Sequence, residues 1–550
     1  MARNSEQLLA YIREGRSMTQ AEKLRLIVSL SVPSILAQIS ATVMFFIDAA
    51  MVGHLGEHAT AAIGLVETTT WLMGGLGSAA NIGFSVQVAH FIGANDFEAA
   101  RRVLRQALVC CALWGLTLTT AAIAVHAHLP YWLGGSPDIA GDASTYFLLI
   151  GICGLFFQMS GLAGSMLKSS GNMKVPSMLN IGMCVMDVVF NYLFIYIMEL
   201  GVLGAALGTG LAELITAILM FWFLLVRSPL ALRDEKEISR YEVRGARYEE
   251  EISRYEVRGA RYENTSAAAS SGEGNLVPRT SHLVPRKKCE EEESRCEVRG
   301  ARYENTFTAV SSDGGNLAPR TSHLVPRKII PRIKLPRIDY TVVKTAFKIG
   351  APMGLQHLLM GGAQIVSTII VAPLGTVAIA ANSLAITVES LCFMPGYGIA
   401  EAATTLVGQS VGAGQRLLTR SFANLSVALG IGVMTAMGVL MWIFAPELMA
   451  VMSPVDDIIT QGADALRIEA WAEPMFAASI VCNGVFIGAA DTLRPAIMSL
   501  TSMWGVRLTL AALLAPLYGL RGVWTAMAIE LSFRGAIFLA RLLRGRWIKT

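Results

Sequence analysis

Charged side chains are scarce in this sequence, and their scarcity excludes an ordinary soluble domain. Asp, Glu, Lys and Arg make up 16% of the 550 residues, whereas soluble domains carry about 25%. Hydrophobic residues reach 53%, and the mean hydropathy is +0.50. The composition predicts a protein embedded in a lipid bilayer, and no nucleic-acid partner is expected.

Motifs for several kinds of chemistry are missing as well. The sequence has no Gly-rich loop ending in Lys-Ser or Lys-Thr, so ATP is not the expected energy source. It also lacks a nucleophile–base arrangement and a His-Glu-x-x-His motif, so we expect no enzyme, no metal cofactor and no organic cofactor. Six of the eight cysteines lie in apolar runs and predict small membrane residues rather than disulfides: Cys110, Cys111, Cys153, Cys184, Cys392 and Cys482.

What the sequence does have is a set of apolar runs, each about 20 residues long, six before residue 230 and six after residue 340. Each run can cross a hydrocarbon layer of about 30 Å as a helix. We therefore predict an all-α polytopic membrane protein with twelve transmembrane helices. Residues 1–25 are polar and predict a cytoplasmic amphipathic lead-in rather than a signal peptide.

The two apolar blocks are copies of one another at a fixed offset of 319 residues. Pro33 falls on Pro352, and Gly77 falls on Gly396. A duplicated block of membrane helices is typical of secondary transporters, whose substrate path lies between the copies. The pattern predicts an N-lobe at 26–230 and a C-lobe at 340–550, each with six helices.

Connections that are rich in Lys and Arg alternate along the chain with connections that have few of them. They are enriched before the first span, in every second connection and after the last span. This distribution follows the positive-inside rule and predicts a multi-pass protein of the cell (inner) membrane with both termini cytoplasmic. We expect it to be a monomer.

Residues 231–339 break the apolar pattern. The segment at 238–249 recurs at 252–263 within a highly charged stretch. Such a composition cannot bury a core, so it predicts a repetitive, disordered cytoplasmic insertion. The alternative is a regulatory loop or one that binds anionic lipid.

Ionisable and polar residues inside the N-lobe spans are candidates for coupling to an ion. Asp48 lies deep in the first span, Asp187 and Asn191 share one face of the fifth, and Thr209 lies in the sixth. Their oxygens could bind a small cation such as Na⁺, or the two acids could share a proton. The other interpretation is that the acids only hydrogen-bond to neighbouring helices. At the 319 offset, the C-lobe has Ser, Val and Leu in place of Asp48, Asp187 and Asn191, so we expect coupling in the N-lobe.

Three stretches resemble the multidrug and toxic compound extrusion (MATE) family: 46–56, 395–414 and 488–495. The resemblance implies two six-helix lobes that alternate between inward and outward access and expel drugs in exchange for Na⁺ or H⁺. It assigns coupling to Asp48, to the pair Asp187 and Asn191, and to Thr209. Met360 stands where the NorM-like branch has Glu, which favours a DinF-like scheme.

A second set of residues is expected at the substrate cavity: Gln38, Gln356, Met360 and Glu401. Glu401 either faces this cavity or sits near a helix end.

The sequence thus predicts a cation-coupled antiporter for lipophilic or cationic small molecules. One alternative is a lipid-linked precursor flippase, which the shortage of Lys and Arg in the spans disfavours. Another is a non-transporting membrane scaffold that recruits partners through the repeat loop.

Overall fold

The computed structural model describes residues 5–231 and 338–548. The prediction of a disordered insertion at 231–339 lies almost wholly outside the described residues. The described residues contain helices and turns and no strand, so the predicted all-α class is confirmed.

The first half of the chain consists of six long helical segments and two short helices. Two of these segments end in a π-helical turn, Leu193–Ile197 after α7 and Phe223–Arg227 after α8. The helices are α1 (Ser5–Glu14), α2 (Gln20–Gly53), α3 (Glu57–Gly93), α4 (Phe97–Val125), the short α5 (Leu129–Trp132), α6 (Pro137–Ser169), α7 (Lys174–Tyr192) and α8 (Gly201–Trp222).

The second half repeats the six long segments with more breaks. A 3₁₀ turn, Ala372–Leu374, follows the first helix, and a π-helical turn, Met503–Arg507, joins α15 to α16. The helices are α9 (Tyr340–Val371), α10 (Thr376–Gly412), α11 (Arg416–Ile443), the short α12 (Ala445–Met452), α13 (Asp456–Ala470), α14 (Glu473–Gly488), α15 (Leu493–Ser502), α16 (Leu508–Tyr518) and α17 (Leu520–Arg544).

Membrane-spanning length and composition are widespread among the described residues. Nine helical segments are long and apolar enough to cross a bilayer, and the pair α13 and α14, bent by 61°, forms a tenth. The remaining long helices, α3 and α17, occupy the second and twelfth places in chain order. The predicted architecture of twelve membrane helices is thereby confirmed.

The start of α2 follows from local capping chemistry. At the start of α2, the Thr19 hydroxyl accepts a hydrogen bond from the Glu22 amide, and the Glu22 carboxylate accepts one from the Thr19 amide at 2.9 Å.

α2 and α9 contain an internal proline at the matching positions Pro33 and Pro352. The lead-in predicted at 1–25 therefore comprises α1 and the first turns of α2.

The two halves meet where α3 and α10 cross at their C-terminal ends. A Cβ on Gly93 would lie 1.9 Å from the Gln409 carbonyl oxygen, and a Cβ on Gly412 would lie 1.9 Å from that of His90. Both glycines and both carbonyls are related by the 319-residue offset. Only glycine permits this approach, so the backbones of α3 and α10 are in close contact at one end of the bundle. We call the end where these two helices cross the α1 end.

Candidate functional site

Three of the predicted coupling residues meet between α2 and α7. The Asn191 side-chain amide donates to Asp48 Oδ1 at 3.0 Å and to Asp187 Oδ2 at 3.1 Å. Asp187 and Asn191 are 0% and 2% exposed, and Asp48 is partly exposed. One amide therefore bridges two carboxylates that come from different helices.

This cluster has unused oxygen atoms. Among the described residues, Asp187 Oδ1 and Asn191 Oδ1 are buried and have no hydrogen-bond partner. Thr209 on α8 also lies beside Asp187. Leaving buried polar atoms unpaired costs free energy, about 1–3 kcal/mol for each group. Hard oxygen atoms of this kind are what Na⁺ prefers, and two adjacent carboxylates could also share one proton.

A cavity of about 760 Å³ opens beside the cluster. Its walls come mostly from α2, α3, α6, α7 and α8 of the first half, and they include Asp48, Asn191 and Thr209. Glu213 on α8 lines it as well and is 6% exposed. The cavity is therefore lined by three of the four coupling candidates, all except Asp187, and its size suits a small organic molecule.

Two of the predicted cavity residues, Gln38 and Glu401, lie together where the second half reaches this cavity. The Glu401 carboxylate accepts from Lys168 at 2.8 Å, from the Ser34 hydroxyl at 2.8 Å and from the Gln38 amide at 3.4 Å. All four residues line the cavity. Glu401 thus faces the cavity and also joins α10 to α2 and α6 across the two halves.

The other two predicted cavity residues lie elsewhere. Met360 and Gln356 are on α9 and are not among the described residues that line this cavity. Met360 packs against Ala363, Met503 and Leu508 within the second half. The structure therefore brings Gln38 and Glu401 together at the cavity and leaves Met360 and Gln356 outside it.

An aromatic wall faces the cavity, and sequence reasoning did not predict that its residues lie together. The rings of Phe45 and Trp71 are 5.1 Å apart, and the Trp71 indole donates to the Glu67 carboxylate at 3.3 Å. All three side chains line the cavity. Glu67 and Trp71 are four residues apart, so an i,i+4 pattern in the second span could have revealed the pair.

The second half contains further buried acids, and sequence reasoning missed three of them, Glu469, Glu473 and Glu530. Glu469, Glu473 and Glu530 are each 0% exposed, and Glu389 is 5% exposed. Glu530 is paired with Arg534 at 2.7 Å, whereas the carboxylate oxygens of Glu469 and Glu473 have no hydrogen-bond partner in the part of the chain that the structure describes. Buried acids therefore occur in both halves of the chain, and the location of coupling in the N-lobe stays a prediction.

These second-half acids do not converge as metal ligands. Within residues 5–231 and 338–548, no group of three or more His, Cys, Asp or Glu side chains has the arrangement needed to hold a metal ion. Arg507 lies within electrostatic range of Glu389, Glu469 and Glu530. A buried charge without compensation is costly. Besides the cluster of Asp48 and Asp187, the bundle therefore contains a second group of buried charged residues, around Arg507.

Two matching bundles of membrane helices, with a cavity lined by apolar side chains and four acids, are the architecture of a multi-pass membrane transporter. A family model described as MatE matches residues 33–193 and again residues 352–513, which are the two halves at the 319-residue offset. The chain belongs to the MatE family, whose members are transporters and not enzymes.

Curated and solved relatives agree with this assignment. A probable multidrug resistance protein NorM of Thermotoga maritima is 21% identical over 529 residues, which are 95% of this chain and 93% of the relative. A MOP superfamily transporter from Pyrococcus furiosus, reported for the reverse polarity of its binding pocket, matches with a TM-score of 0.75 at 17% identity, and the match covers 100% of both chains. The outward-facing conformation of a multidrug resistance MATE family transporter matches with the same TM-score, identity and coverage.

Proposed function

We propose that this chain is an antiporter that exports cationic or amphipathic drugs by alternating access, with Na⁺ or H⁺ as the coupling ion. The observation that carries the proposal is the position of Asp48, which lines the cavity and is also bonded to the Asn191 amide. One carboxylate can therefore respond to the coupling ion on one side and to a cationic substrate on the other.

Coupling requires that the ion and the substrate favour different states of the same protein. An ion that binds the oxygens of Asp48, Asp187, Asn191 and Thr209, or a proton shared by the two acids, removes negative charge from the cavity wall. A cationic substrate then loses its counter-charge and leaves. The repacking of α2 that accompanies this change would be centred near Pro33, where one backbone hydrogen bond of the helix is missing.

The chemistry of the cavity supports an organic cation as substrate. Four acids line it, namely Asp48, Glu67, Glu213 and Glu401, and Lys168 is the one basic residue among its described lining residues. That lysine is already paired with Glu401. Phe45 and Trp71 offer apolar and cation–π surface, and the name of the Thermotoga maritima relative supports the same substrate class.

The alternative functions gain less support. A flippase for a lipid-linked precursor needs basic side chains for a pyrophosphate group, and this cavity is acidic. A non-transporting scaffold would need no cavity beside buried, unpaired carboxylate and amide oxygens. We further propose that the protein acts as a monomer in the inner membrane with both termini in the cytoplasm, on the basis of its Lys and Arg distribution.

Efflux of ethidium and of norfloxacin from proteoliposomes tests the proposal, with a Na⁺ gradient and a pH gradient imposed separately. We expect one gradient to drive efflux and Asp48→Asn to abolish it. Asp142→Asn is the matched control, because Asp142 is exposed on α6 and is not among the described residues that line the cavity. Absence of efflux under both gradients from folded protein would instead favour the flippase function.

A further inference from the structure

The short helix α1 contacts both halves of the bundle, although it precedes the first membrane span. Its apolar face is buried: Leu8, Leu9 and Ile12 are 1%, 7% and 0% exposed. A polar lead-in of ten helical residues would normally be expected to fray. The burial of this face shows that α1 is docked on the bundle.

The apolar face of α1 packs in one cluster with Leu26, Ile27 and Leu30 of α2, and Leu9 and Arg13 make further contacts with the first half. Gly171 lies in the connection between α6 and α7. Leu9 Cδ1 is 2.6 Å from the position that a Cβ on Gly171 would occupy. Gly171 has a φ of +92°, so a side chain there would be strained as well as crowded. The Arg13 guanidinium lies 5.5 Å from the centre of the Phe97 ring at the start of α4.

The contacts of α1 with the second half are made by the same turns of helix. Its buried residues form one cluster with Ala402 and Leu406 of α10 and with Leu418 and Phe422 of α11. The Gln415 side chain, between those two helices, donates a hydrogen bond to the Ile12 carbonyl. A ten-residue helix thus contacts both halves at the end where α3 and α10 cross.

We propose that α1 is a clasp that holds the two lobes together at the α1 end and must release one of them before the cavity can open there. The proposal rests on alternating access, the proposed function. If the lobes separate at this end, α1 cannot keep both the contacts with Gly171 and Phe97 and those with Leu406, Phe422 and Gln415. Its docking therefore stabilises the state in which this end is closed.

The connection between α1 and α2 also suits a clasp. Gly15, directly after α1, has a φ of +71°, and residues 16–19 are not helical. α2 begins at Gln20, and Lys23 in its first turn donates to the Ser421 hydroxyl of α11 at 3.0 Å. The release of α1 can thus take place in a short non-helical segment without unfolding α2.

Distances between two spin labels test the clasp without any transport assay. The labels replace Arg102 on α4 and Leu417 on α11, two exposed residues of opposite halves at the α1 end. The full chain is used, reconstituted in lipid, with reactive native cysteines replaced by serine. Leu9→Asp changes the charge by one unit in the buried face of α1, and Glu6→Gln changes it by one unit on the exposed face of the same helix.

We expect Leu9→Asp to increase the population with widely separated labels at least about fivefold and Glu6→Gln to leave the distance distribution of the parent protein unchanged. A second variant, Gln415→Ala, should shift the population in the same direction to a smaller extent. An unchanged distribution in a folded Leu9→Asp protein would overturn the clasp. A protein that shows no efflux would count against the proposed function, while the distance measurement would still decide whether α1 holds the lobes.

Discussion

His90 and Gln409 stand at equivalent positions of the two halves, 319 residues apart, and each reaches into the opposite half with an equivalent hydrogen bond. The His90 ring Nε2 bonds with the Gly488 carbonyl at 2.8 Å, and the Gln409 amide donates to the Ser169 carbonyl at 2.9 Å. The two acceptors are also 319 residues apart. The contact between the lobes at the α1 end therefore has two-fold pseudo-symmetry even though the donor side chains differ.

Loss of either bond should loosen the closed end to a similar extent. Gln409→Leu leaves the Ser169 carbonyl without this partner, and His90→Leu does the same to Gly488. Each unpaired buried group costs about 1–3 kcal/mol, which shifts a two-state equilibrium about 5- to 150-fold. Label distances between positions 102 and 417 measure the shift, and His58→Leu, at an exposed site, is the control. A large effect of one variant and none of the other would contradict the equivalence.

The ion pair between Lys168 and Glu401 should also stabilise closure. Their side chains are 22% and 30% exposed, so the pair is screened less than a fully exposed one. We expect a coupling free energy of about 0.5–3 kcal/mol in a double-mutant cycle of Lys168→Met and Glu401→Gln, read from thermal unfolding in lipid. The exposed pair of Glu14 and Arg16 should give a coupling near zero. A cycle for Lys168 and Glu401 that also gives zero would show that the pair does not hold the lobes.

Much of the fold and part of the site follow from the sequence. The 319-residue offset and the apolar runs predict the two halves, and the spacing of Asp187 and Asn191 predicts that they share a face. Glu469 and Glu473 were missed because neither belongs to a motif that the sequence marks out, and they flank the break between α13 and α14. Their burial comes from the 61° bend and from neighbouring helices, which spacing alone does not reveal.

The bridging amide of Asn191 should be needed for coupling. Asn191→Ala removes the donor shared by Asp48 and Asp187, so the two carboxylates lose a hydrogen bond each and repel one another more strongly. The loss of hydrogen bonds to a charged group is worth about 1.5–3 kcal/mol each, so gradient-driven efflux should fall at least about tenfold. Asn424→Ala, on an exposed part of α11, should leave efflux unchanged. Full efflux by a folded Asn191→Ala protein would remove this residue from the coupling site.

Glu67 should determine how strongly the protein prefers charged over uncharged substrates, without affecting ion coupling. Glu67→Gln keeps a hydrogen-bond acceptor for the Trp71 indole but removes the charge beside the aromatic wall. We expect the KM for a monocation such as ethidium to rise about 5- to 30-fold, corresponding to ~1–2 kcal/mol, with little change for an uncharged lipophilic substrate. Initial rates of efflux from proteoliposomes provide the measurement, and Glu447→Gln, at an exposed position of α12, serves as control. An equal loss for charged and uncharged substrates would show that Glu67 acts on the conformation instead.

Two buried glutamates of the second half should respond to the same substitution in opposite ways. Glu530 accepts from Arg534 at 2.7 and 2.8 Å and from the Ser502 hydroxyl at 2.5 Å. Glu530→Gln breaks a buried, bidentate pair, so we expect a loss of about 3–5 kcal/mol in stability. Glu473 has no hydrogen-bond partner for either carboxylate oxygen among the described residues, so Glu473→Gln removes an uncompensated acid and should leave stability unchanged or raise it.

Thermal unfolding of both variants in lipid, with ion-driven efflux measured on the same preparations, separates a structural role from a coupling role for Glu473. A Glu473→Gln protein that is at least as stable as the parent but has lost its response to the ion gradient would make this acid part of the coupling chemistry. Unchanged efflux would leave it a structural acid, because a buried carboxylate that takes part in coupling must change its charge during each transport cycle. A strong loss of stability would show that it has a partner in the folded protein.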